Sequence, residues 1–149
     1  MSVLPEIQAE VGRWVVRAEN DLRNAEYVLT LEEDCPTDTI CFHAHQCAEK
    51  YLKAMLLFQG LSFPRTHDLV VLLNLISSQA DLDLGVEDLY RLNRYSVEAR
   101  YPGEWDLIDL MEAKEAVRMA RQVRTAIRKV LPEEALPGGD ISSADEVRD

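Results

Sequence analysis

Eight apolar residues near the start of the chain, Ile7, Val11, Trp14, Val15, Ala18, Leu22, Ala25 and Leu29, recur mostly at steps of three and four. That spacing is one face of a helix, and it predicts a long amphipathic helix over residues 5–31. Ile40, Ala44, Cys47, Ala48, Tyr51, Met55 and Phe58 repeat the pattern over residues 39–59, with Leu52 and Leu56 widening the stripe. Ala113, Ala116, Val117, Ala120, Val123, Ile127 and Val130 repeat it again after Asp109. Stripes of this kind are stable only when covered, and other helices cover them best. No segment shows the alternation of a strand. The chain is therefore read as all-α, an up-and-down bundle of long, mostly antiparallel helices.

Local signals set the expected boundaries. Pro5 suits a first helical turn, where its missing N–H costs nothing. "EEDCPTD" interrupts the first pattern, with Thr37 or Asp38 expected to cap the second helix. Gly60 is the expected C-terminal cap. Thr66 is expected to cap a third helix buried through Leu69, Leu72, Leu73 and Ile76, and a short fourth helix is expected over Val86–Arg94. Pro102-Gly103 forbids regular helix in the connection that follows. Asp109 and Glu112 have the spacing of a capping box. The helical domain is expected to span residues 1–131. Residues 132–149, rich in Pro, Gly, Ser and acids, are read as a disordered tail.

At 149 residues, 47% hydrophobic and 29% charged, the chain suits one soluble domain able to bury a core without disulfides or metal. It contains neither a membrane-length apolar run nor the pattern of a secretory signal, and a cytoplasmic location is expected. Cys35, Cys41 and Cys47 form no C-x-x-C and are read as small hydrophobes. A net charge of −11 argues against coating nucleic acid through bulk electrostatics. Yet residues 112–130 hold six bases against two acids. That local excess is either a solvated face or a stripe for an anion.

The second helix holds the groups most costly to bury. His43 and His45 cannot chelate one ion together, because residues two apart on a helix point about 200° apart. No third ligand accompanies His43 and Cys47, so no metal site is expected. His43, Gln46, Lys50 and Lys53 form a polar ribbon along one side, with Glu49 placed to pair with Lys53. It is either a self-satisfied network, a face for a second copy, or a ligand contact. Asp68 fits a helix N-terminus, which leaves His67 unexplained. Arg100, beside Tyr101 and Trp105, suits stacking on bases and gripping phosphate, or stapling a loop. No Walker, dinucleotide, zinc-protease or nucleophile motif is present.

"FHAHQCAEKYLKAMLLFQG", then "FPRTHDLVVLL", then "SVEARYP" closely resemble the HEPN domain family of prokaryotes. The resemblance is carried by His43, Gln46, Ala48, Glu49, Lys50, Leu52, Lys53, Ala54 and Leu56, by Arg65 through Leu69, and by Ala99, Arg100 and Tyr101. Trp14, Ala18, Asp21, Leu22 and Ala25 match the family's opening helix. The resemblance implies four main antiparallel helices plus one short helix, and a symmetric homodimer. It also implies nucleotide or RNA ligands, and a minimal nucleotidyltransferase partner in two-component or toxin–antitoxin modules. Many members are metal-independent ribonucleases in which an arginine precedes a histidine by five to seven positions. Those positions after Arg100 hold Trp105, Asp106 and Leu107. No arginine stands so before His43, His45 or His67.

The expectation is thus a non-catalytic subunit without cofactor. It would bind a nucleotide or RNA phosphate through His43, Gln46, Lys50, Lys53, His67, Arg100 and Tyr101. The alternatives are a ribonuclease with a degenerate motif, His67 meeting Arg100 in space, or a protein–protein adaptor.

Overall fold

The computed structural model describes residues 4–76, 82–96 and 107–136. Within them the chain forms five α-helices and no strand: α1 (Pro5–Leu29), α2 (Thr37–Phe58), α3 (Leu69–Leu75), α4 (Val86–Leu92) and α5 (Leu110–Val130). The expected count of four main helices and one short one is corrected. Three helices are long, at 25, 22 and 21 residues, and two are short, at 7 each. The apolar repeat of the third segment covers only two turns, too little to build a main helix.

Side-chain contacts define the directions. Asp21 of α1 meets His43 and Lys50 of α2, while Trp14, nearer the start of α1, meets Lys53 and Phe63. Helices α1 and α2 are therefore antiparallel. Arg121 and Arg124 of α5 reach back to Glu26 and Glu19 of α1, so α5 also opposes α1. Thr37 Oγ1 donates to the carbonyl of Ile108 at 2.6 Å, placing the starts of α2 and α5 side by side. The two short helices both pack against α2, and α5 runs parallel to α2 instead of continuing a strict alternation.

Helix α2 is the hub. Ile40, Ala44, Cys47, Ala48, Tyr51, Leu52 and Leu56 are fully buried, against Val11, Val15, Ala18 and Leu22 of α1 and Ala116, Ala120, Val123 and Ile127 of α5. Such burial contributes roughly 1.5–3 kcal/mol for each large side chain.

The helix ends refine the expectations. Gly60 takes φ +73°, and the N–H groups of Gly60 and Leu61 return to the carbonyls of Leu57 and Leu56, both at 2.9 Å. That pattern closes α2 as expected, and only glycine adopts such a φ without strain. Helix α2 begins earlier than expected, with Pro36 at its N-cap and Thr37 and Asp38 already inside it. At α3 the cap is Asp68 instead of Thr66: Asp68 Oδ1 accepts from the N–H groups of Val70 and Val71. Thr66 Oγ1 accepts from the N–H of Asp68 one step upstream. Asp109 caps α5 by accepting from the N–H of Glu112 at 2.8 Å, while the Glu112 carboxylate accepts from the Tyr95 hydroxyl. After α5, Glu133–Ala135 form a 3₁₀ turn whose Ala135 is buried. Residues 137–149, most of the expected tail, lie outside the described residues.

Candidate functional site

The polar ribbon of α2 resolves into two clusters, each built around one carboxylate. In the first, Asp21 of α1 accepts from His43 Nδ1 at 2.8 Å and from Lys50 Nζ at 2.5 Å. His43 and Lys50 are seven positions apart on α2, two turns along one side, so a single acid on the facing helix spans both. The His43 and Lys50 side chains are 27% and 21% exposed, which leaves the cluster at the edge of the core.

The second cluster centres on Glu49, whose side chain is only 5% exposed. Glu49 Oε2 accepts from Lys53 Nζ at 2.8 Å, the pairing expected from the sequence, and Oε1 accepts from His67 Nδ1 at 2.9 Å. Burial pushes the Glu49 carboxyl upward, but the hydrogen bonds from Lys53 and His67 outweigh it and hold the group below its ordinary value. The Lys53 ammonium also lies 5.8 Å from the centre of the Trp14 ring and 5.5 Å from that of Phe63, with the two rings edge to face. Two faces with negative quadrupoles and one carboxylate make a consistent pocket for that cation.

His45 lies behind this cluster and is completely buried. Its Nε2 donates to the backbone carbonyl of His67 at 2.9 Å, which fixes the hydrogen on that nitrogen. Among the described residues Nδ1 is left as a buried acceptor without a hydrogen bond, 3.9 Å from Glu49 Oε1. Burial drives the His45 pKa down, against the upward pull of Glu49, so the ring is held neutral. Gln46, between the two clusters along the ribbon and with its amide beside the His45 ring, also has a buried oxygen, Oε1, without a hydrogen bond among the described residues.

The opposite side of α2 carries a third polar group. The Tyr51 hydroxyl donates to Glu19 Oε2, and Arg124 grips the same carboxylate through Nε at 2.7 Å and Nη2 at 3.2 Å. Arg128 Nη1 donates to the Tyr51 oxygen at 3.2 Å. Burial followed by the Glu19 contact raises the Tyr51 pKa, which keeps it a hydroxyl donor. On the same helix Arg118 pairs with Glu115 and Arg121 with Glu26. Much of the positive charge on α5 is thereby engaged in pairing with acids of α1 and of α5 itself.

The structure thus brings His43 and Lys50 together on Asp21, and Lys53 and His67 together on Glu49, with Gln46 between. Arg100 and Tyr101 lie outside the described residues. Both lysines carry carboxylate partners, so the ribbon offers oriented hydrogen-bonding groups in place of free positive charge. Reading the ribbon alone missed Asp21, Trp14 and Phe63. Asp21 left a signal: it is an acid seven positions after Trp14, on the stripe otherwise occupied by Ala18, Leu22 and Ala25. Among the described residues no three His, Cys, Asp or Glu side chains converge as a metal site would require, and no helix is long and apolar enough to cross a membrane.

Comparison with known proteins follows the same lines. The chain is similar to TT1696 from Thermus thermophilus, at 26% identity and a TM-score of 0.68, over 83% of this chain and 99% of that one. It is also similar to ST0689, an archaeal HEPN homologue, at 26% identity and a TM-score of 0.63, over 80% and 95% of the two chains. No curated protein matches the sequence. The model of the HEPN domain matches residues 11–130, nearly the whole described bundle, and the chain belongs to the HEPN domain family.

Proposed function

We propose that the protein is a non-catalytic HEPN subunit that binds a nucleotide or RNA at the α2 ribbon and works as a homodimer beside a minimal nucleotidyltransferase. The observation that carries this reading is the seating of His43 and Lys50, both held on Asp21 and partly exposed, beside Gln46 on the same side of α2. Buried polar atoms are rarely left without a partner, and Gln46 Oε1, unmatched among the described residues, belongs to a half-buried side chain that can turn its amide toward a donor from outside. The amino groups of nucleobases and the ribose hydroxyl are such donors. His43 and Lys50, partly exposed and held in place by Asp21, would then meet the phosphate.

Calorimetric titration with ATP, GTP and a short RNA tests the reading. Binding is expected with at least one of them, and Gln46→Ala should weaken it by roughly tenfold, the loss of one good hydrogen bond. No heat with any of the three, or unchanged affinity in Gln46→Ala, overturns it. Sedimentation of protein mixed with the candidate nucleotidyltransferase tests the partnership separately.

One observation favours a second reading. Glu49 holds His67 through Nδ1, which fixes the orientation of a 38% exposed imidazole. Carboxylate-oriented imidazoles of this kind serve as general bases. Cleavage of RNA by the purified protein, abolished in His67→Ala, would replace the non-catalytic reading with a ribonuclease one.

A further inference from the structure

The arginines of α5 follow a rule with one exception. Arg118, Arg121 and Arg124 each have a carboxylate, in Glu115, Glu26 and Glu19. Arg128 is half-buried at the junction of α1, α2 and α5, and among the described residues its hydrogen bond goes to the Tyr51 hydroxyl, a neutral group. Two guanidinium groups therefore meet one carboxylate, and the cluster of Glu19, Tyr51, Arg124 and Arg128 carries a surplus positive charge.

We propose that Arg128, with Arg124 beside it, forms an anion site for a phosphate group at this three-helix junction, on the side of α2 away from the ribbon. Three features build it. Tyr51 is completely buried and its proton is committed to Glu19, so its oxygen holds Arg128 Nη1 in a fixed place. A guanidinium has five N–H donors in a planar fork, and the contact to Tyr51 engages one nitrogen only. Partial burial strengthens the pull of an unmatched charge on an incoming anion, because less water screens it. Tetrahedral phosphate oxygens suit the remaining fork, whereas a solvated lysine such as Lys129 offers only a point charge. Glu19 is the repulsive neighbour, but Arg124 grips it with two hydrogen bonds.

Titration of the full chain with inorganic phosphate at low ionic strength, followed by amide and arginine side-chain NMR shifts, tests the site. Saturable shifts are expected at Arg128, Arg124 and Tyr51. Arg128→Gln should weaken binding roughly tenfold, and Arg121→Gln, which removes a guanidinium already matched to Glu26, should leave it within about twofold. If Arg128→Gln loses its fold, Arg128→Lys, with its charge kept and the fork removed, should still weaken binding by roughly threefold or more. AMP binding as tightly as phosphate, with adenosine inert, marks the phosphate group itself as the ligand. Shifts that never saturate, or equal losses in the Arg121 and Arg128 variants, would show diffuse charge and overturn the proposal. The ribbon reading stands or falls apart from this one, because Gln46→Ala does not touch the junction.

Discussion

Removing the Glu49 carboxylate is the sharpest test of how the polar ribbon is tolerated. Glu49→Leu deletes the acid that holds Lys53 at 2.8 Å and His67 at 2.9 Å, and it leaves the Lys53 side chain, 9% exposed, without its counter-charge. Breaking one side of a buried pair costs about 3–5 kcal/mol, mostly the penalty of the charge left behind. For a chain of this size each kcal/mol lowers the melting temperature by about 2–4 °C, so a fall of roughly 6–20 °C is expected. The second half of the test is Lys53→Met in the same protein. The thioether can pack against Trp14 and Phe63, where the ammonium now sits, and an apolar replacement of both partners is often neutral. His67, 38% exposed, can turn to water for its lost acceptor, so about 1 kcal/mol of the loss should remain. Urea denaturation at fixed protein concentration, monitored by circular dichroism, measures the two single variants and the double variant. If the double variant loses the sum of the two single losses, or if Glu49→Leu costs under about 1 kcal/mol, the ion-pair account is wrong.

The buried neutral His45 makes stability depend on pH. Its folded pKa lies below the ordinary 6.5, so between the two values the unfolded chain binds more protons and stability rises with pH. The contribution is complete above about 6.5 and is lost on acidification through the folded value; His45→Gln, which keeps an N–H for the His67 carbonyl, should flatten that slope in denaturant titrations from pH 7 to 5. Asp68→Ala removes the cap of α3 and its bond from Asn93, and should cost about 0.5–2 kcal/mol by urea midpoint. Burial raises the Cys47 thiol far above its usual range, whereas Cys35 is partly exposed. A thiol reagent should therefore label Cys35 first in the native protein, read by mass spectrometry, and label Cys47 only after denaturation.

The predicted faces of α1, α2 and α5 agree with the structure, except that Val130 at the end of α5 is exposed, because a buried stripe on a long helix repeats often enough to be unambiguous. The short helices were less legible. Two turns of "LVVLLNL" give too little periodicity to set a length, and Thr66 and Asp68 are both sound caps until the chain direction is known. Within the site, the pair of Glu49 and Lys53 was readable because both lie on α2, four positions apart. Asp21 and Lys50 stand 29 residues apart, and Glu19 and Arg124 stand 105 apart, separations on which no local pattern bears.

The amino-acid order alone therefore determined that this chain is helical, which stripe of each long helix is buried, and where Gly60 and Asp109 stop and start the backbone. These follow from local sterics and the 3.6-residue turn. Tertiary structure alone decided which acid meets which base, and hence that both ribbon lysines are matched while, among the described residues, the hydrogen bond of Arg128 goes to the neutral Tyr51 hydroxyl. The rotation and stagger of packed helices set those meetings, and they are fixed by how the whole core fills space.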